Sequence, residues 1–197
     1  DRSFVAGWTP DGKVLYQTIG YNKLPDEQLV TIDPKSQKKS VIPLLQASEG
    51  DQNPDGTWFF VRPADHNDAA KRYVGGTARQ IWRFDGKNEA VKLTTDYDGE
   101  SCHPMWYNGR VYFITDRDGI MNIWSMDESG KDLKQHTKHA QYDIRYANMD
   151  QGKVVYQHGA DLWLLDVASG TYDKIDIRLA TDLAQLREKW VEKPAQY

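Results

Sequence analysis

Asn108-Gly109-Arg110-Val111-Tyr112-Phe113-Ile114-Thr115-Asp116-Arg117-Asp118-Gly119 is the stretch that decides the fold. Asn-Gly supplies the two positive-φ positions of a type I′ hairpin turn. Val111 to Ile114 is a continuous apolar run, as expected of a strand covered on both faces. Asp116 to Gly119 is a polar loop whose bend needs a positive φ at Gly119. Working outward, Ser101 to Trp106 reads as an opening strand and Asn122 to Asp127 as an alternating third strand. Leu133 to Thr137 closes the unit as a polar edge.

The unit recurs. Pro10-Asp11-Gly12, Pro54-Asp55-Gly56, Asn108-Gly109 and Gln151-Gly152 each precede an apolar strand, and their glycines stand 44, 53 and 43 residues apart. The third strand recurs as Leu29–Asp33, Ile81–Asp85, Ile123–Asp127 and Leu162–Asp166, with Trp82, Trp124 and Trp163 at one shared position. The terminal Asp suits the turn that follows, because its carboxylate accepts backbone N–H bonds there. The tryptophans read as packing between neighbouring units. Four short antiparallel strands every ~40 residues are the signature of a propeller blade. The expected fold is therefore all-β: a β-propeller of about four four-stranded antiparallel blades, near residues 1–46, 47–95, 96–138 and 139–178. Residues 179–197, where Leu183, Leu186 and Trp190 suggest a short helix or turn, read as a connector toward a following domain.

Composition narrows the function. Net charge is −4 over 197 residues, with no basic stripe of the kind nucleic-acid binders carry. No apolar run approaches the ~18 residues of a membrane helix. Cys102 is the one cysteine, so no intrachain disulfide forms. The longer second spacing comes from extra sequence around Arg62 to Gly76; insertions in repeat proteins map to loops that often carry function.

Chemical constellations are few. Gly99-Glu100-Ser101-Cys102-His103 approaches a nucleophile elbow, but His103 stands where glycine is required. Cys102, His103, His136 and His139 match no zinc-ligand spacing. Asp116-x-Asp118-Gly119 lacks the other ligands of a calcium loop, and Arg117 is expected to pair with one of those two aspartates. The expected inventory has no catalytic residue, metal or cofactor.

Lys71-Arg72-Tyr73-Val74-Gly75-Gly76-Thr77-Ala78-Arg79-Gln80-Ile81-Trp82, together with Val111 to Gly119 and Asp127 to Thr137, resembles the six-bladed N-terminal propeller of tricorn-type serine peptidases. The resemblance implies an incomplete ring here, belonging to a longer polypeptide with a second propeller, a PDZ-like module and a distant serine-centred site. It implies peptides and other domains of the same polypeptide as partners, and a homo-oligomeric full-length protein. The expected compartment is the bacterial periplasm or the cytoplasm, with the periplasm preferred. It also implies that Lys71 and Arg72 hold a substrate carboxylate, by charge-assisted hydrogen bonds. Val74 departs from relatives that carry a further basic residue before Gly-Gly. The alternatives are a TolB-like propeller that binds protein partners and the propeller of a prolyl-oligopeptidase relative.

Overall fold

A computed structural model describes residues 3–24, 26–63, 70–178, 180, 186 and 188. Among the described residues there are four four-stranded antiparallel sheets. The first comprises β1 (Ser3–Trp8), β2 (Val14–Thr18), β3 (Gln28–Ile32) and β4 (Lys39–Val41). The second has β5 (Ser48–Gln52), β6 (Trp58–Arg62), β7 (Gln80–Phe84) and β8 (Val91–Lys92). The third has β9 (Ser101–Tyr107), β10 (Arg110–Thr115), β11 (Asn122–Asp127) and β12 (Lys134–Gln135). The fourth has β13 (Ile144–Asp150), β14 (Lys153–His158), β15 (Asp161–Asp166) and β16 (Thr171–Lys174). In each sheet the strands lie side by side in chain order.

The first strands touch in sequence, β1 to β5, β5 to β9 and β9 to β13, so the blades follow one another about a common axis. β5, β9 and β13 each also pack on the blade before, as β9 does on β6 and β7. The architecture is a β-propeller.

The continuous apolar runs serve this stacking. On β6, Phe59 and Val61 join one core cluster with Phe113, Ile123, Met126 and Tyr156, while Trp58 and Phe60 join another with Leu15, Leu29 and Ile42. Alternate residues of a strand face opposite sides, so a blade between two others needs both sides apolar. Full burial of each such side chain contributes about 1.5–3 kcal/mol.

Turns follow their residue types. Asn108 and Gly109 take φ of 48° and 77°, Gln151 and Gly152 take 47° and 75°, and Gly119 takes 96°. The Asp that ends each third strand accepts two amide N–H groups of the following turn: Lys35 and Ser36 for Asp33, Lys87 and Asn88 for Asp85, Ser129 and Lys131 for Asp127, Ala168 and Ser169 for Asp166. The tryptophans are half-buried against the core clusters. Arg62 lies over Trp82 at 5.0 Å and Arg117 over Trp124 at 5.4 Å, whereas Trp163 meets His139 and His158 edge-on.

Two local expectations are corrected. The closing strand of the third blade is only Lys134–Gln135, because the Thr137 hydroxyl, held by Asn122, accepts the Ile123 N–H. Arg117 pairs with Asp96 at 2.8 Å rather than with Asp116 or Asp118. Asp116 is already engaged by Tyr97 and the Glu100 amide, and Asp118 by Asn122 and Gln135. Most of the expected connector, including Leu183 and Trp190, lies outside the described residues, as do residues 64–69 of the insertion.

Candidate functional site: the axial cavity

Every inner strand carries a register shift against its neighbour: Val5/Gly7 on β1, Ser48/Asp51 on β5, opposite Tyr112/Ile114 on β9, and Arg145/Asn148 on β13. In three of them a non-glycine residue sits at the bulge with positive φ: Glu49 at 47°, His103 at 51° and Tyr146 at 51°. Such bulges re-aim side chains, and these three border the axis. Glu49, His103 and Tyr146, with Phe4 and Gln17, line both a cavity of about 450 Å³ and an adjoining one of about 630 Å³.

The wall of the smaller cavity is highly charged. Arg79, its side chain 11% exposed, donates from Nε to Glu100 at 2.8 Å and from Nη1 to Glu49 at 2.7 Å. Glu49 accepts the His103 amide through its other oxygen at 2.9 Å. This chain of contacts ties the second blade to the neighbouring third. Breaking a buried pair of this kind leaves a charge uncompensated, at about 3–5 kcal/mol. Burial pushes the neighbouring Cys102 thiol well above its ordinary value, and Glu49, Glu100 and Asp116 act the same way against Arg79.

Lys71 and Arg72 border the same cavity. Both reach Asp143, Lys71 Nζ at 3.3 Å and Arg72 Nη2 at 2.8 Å, and Asp143 also accepts the Met121 amide. Burial works to raise the Asp143 carboxyl, but the hydrogen bond from Arg72 heads the effects that bring it below the ordinary carboxylate value. Lysine offers three donors and arginine five, and Asp143 takes one from each.

Ser101 is fully buried and donates to Thr115 at 3.1 Å, sealed within the sheet from any substrate. His136 bonds Ser125 at 2.8 Å, and His139 bonds Tyr156 at 3.0 Å while stacking on His158 at 3.8 Å. Each is thus committed to packing on its own. The only potential metal cluster among the described residues combines Glu49, Cys102 and His103.

The full site was not legible from the sequence. Glu49 and Tyr146 have no local motif; the one available signal is their standing, like His103, six or seven residues before a turn glycine.

Residues 1–171 match the model of the tricorn protease N-terminal beta propeller domain. The chain belongs to that family. The tricorn protease homolog 1 of Streptomyces coelicolor is 32% identical over 182 residues, covering 90% of this chain and 17% of that protein. The tricorn protease homolog of Saccharolobus solfataricus is 35% identical over 121 residues, covering 61% of the chain and 11% of the relative. The crystal structure of the tricorn protease superposes with a TM-score of 0.78 at 27% identity, covering 91% of this chain and 18% of that one. The chain therefore spans less than a fifth of these relatives. TolB from Acinetobacter baumannii has a TM-score of 0.66 at 18% identity, covering 88% of this chain and 43% of that one, and shares the fold.

Proposed function

We propose that this tricorn-family propeller is a noncatalytic segment of a tricorn-like serine peptidase, and that its axis guides peptide substrates or products of a catalytic region elsewhere in the polypeptide. The observation that carries this reading is the axial cavity, walled by bulge residues from successive blades and bordered by both cations and carboxylates. Such a wall offers partners to both charged ends of a peptide. Lys71 and Arg72 are the residues proposed to hold the carboxylate end, with Asp143 fixing the pair in place. The same reading takes other domains of the polypeptide as partners, a homo-oligomeric full-length protein, and a periplasmic setting.

The test is steady-state kinetics of the full-length enzyme carrying Lys71→Ala and Arg72→Ala. KM for peptides with a free carboxylate end should rise several-fold, with kcat little changed, because binding common to ground and transition states is lost. Amidated peptides should show no such rise. An unchanged KM for free-acid peptides removes the anchoring role.

A further inference from the structure

Glu49 on β5 and Cys102 and His103 on β9 bring a carboxylate oxygen, a thiol sulfur and an imidazole nitrogen within 4.8 Å of one another. Successive strand side chains ordinarily point to opposite faces. The β9 bulge, with His103 at φ 51°, lets two consecutive residues reach the same group. Cys102 is 1% exposed, its sulfur has no hydrogen-bond partner among the described residues, and it borders the axial cavity. Glu49, Glu100 and Asp116 stand near the thiol, with Arg79 paired to both glutamates.

We propose that Glu49, Cys102 and His103 bind one divalent metal ion of the zinc class, with a fourth coordination position facing the axial cavity. The donor set selects the metal: thiolate and imidazole suit zinc and cobalt, whereas magnesium and calcium prefer oxygen throughout. Bonds of roughly 2.0–2.3 Å in a tetrahedral site place donor atoms roughly 3.3–3.8 Å apart. Closing from spacings of no more than 4.8 Å therefore takes donor-atom movements of at most about 1–1.5 Å. Arg79 and the His103 amide, which donate to the two Glu49 oxygens, orient the ligating carboxylate from the outer shell. Three protein ligands with one open position is the pattern of a zinc site accessible to small ligands. Water, or a carbonyl or carboxylate oxygen entering the cavity, takes that position. The site stands whether or not peptides travel along the axis.

Cobalt(II) chloride titrated anaerobically into the chain tests this directly, since Cys102 is its sole cysteine. The expected result is one-to-one binding with a near-ultraviolet sulfur-to-cobalt band and the strong visible bands of four-coordinate cobalt. Cys102→Ser should abolish the sulfur band. Glu49→Gln and His103→Gln should weaken binding by more than the roughly 10–100-fold typical of outer-shell changes. His136→Ala should leave binding intact. The wild-type spectrum decides even where a variant fails to fold: cobalt that gives no sulfur band at millimolar concentration overturns the proposal. A band that survives in folded Cys102→Ser also overturns it.

Discussion

His139 shows how a single side chain gains its character from what surrounds it. Its ring stacks on His158 at 3.8 Å and meets Tyr156, Trp163 and Tyr172 edge-on. Burial, and then the neighbouring His158, bring its pKa down to about 4 from an ordinary 6.5. The fold thus favours the neutral ring. That stabilisation is complete above pH 6.5 and is lost as pH falls through about 4. Asp33 and Asp85, depressed first by turn amides, and Asp127, depressed first by the Ser129 hydroxyl, lose their contribution mainly below this window. Asp51 and Asp116, raised by burial, act with the opposite sign. The contrast with His139→Gln separates these effects. Between pH 6.5 and 4 the urea midpoint of the parent chain should fall more steeply than that of the variant; parallel curves would remove His139 as the cause.

At the level of elements, the third-strand turns test how blades interlock. Gly86 and Gly130 occupy the turns after β7 and β11, both at φ 84°. A Cβ on Gly86 would meet nothing within 4 Å, whereas one on Gly130 would lie 2.6 Å from the Leu93 carbonyl oxygen in the blade before it. Gly86→Ala should therefore cost only the left-handed backbone penalty, about 1–2 kcal/mol. Gly130→Ala should exceed it by a further ~1–3 kcal/mol of overpacking. Equal losses in denaturant unfolding would show that this close approach is not rigid.

The turns and apolar runs were legible because their causes are local: Asn108-Gly109 sets a φ pair, and Asp127 caps the turn that it enters. Arg117 was not, because its partner Asp96 comes from the preceding inter-blade connection and both adjacent aspartates are occupied. The inner-strand bulges were equally hidden. Glu49 and Tyr146 are side-chain types with no preference for positive φ, and no local motif marks their conformation. Lys71 and Arg72 were singled out by resemblance, whereas Asp143, which pairs with both, lies 71 residues from Arg72 in sequence.

For the whole molecule, the repeated inner strands convert a local irregularity into a shared feature. Four bulges along one axis build a charged cavity that no single blade contains. Its wall joins the second and third blades through Arg79 and reaches the fourth through Asp143. The outer strands β4, β8, β12 and β16 are short and mostly exposed. A peptide that engages the propeller along its axis should thus touch β1, β5, β9 and β13 and avoid the outer strands.

Photo-crosslinking measures that contact directly. A peptide with a free carboxylate end and a benzophenone side chain is irradiated with the full-length protein, and the modified residues are mapped by mass spectrometry. The account predicts adducts within 3–8, 48–52, 101–107 and 144–150, competed away by unlabelled peptide. Adducts confined to the outer strands, or no competable adduct in this propeller, would contradict it.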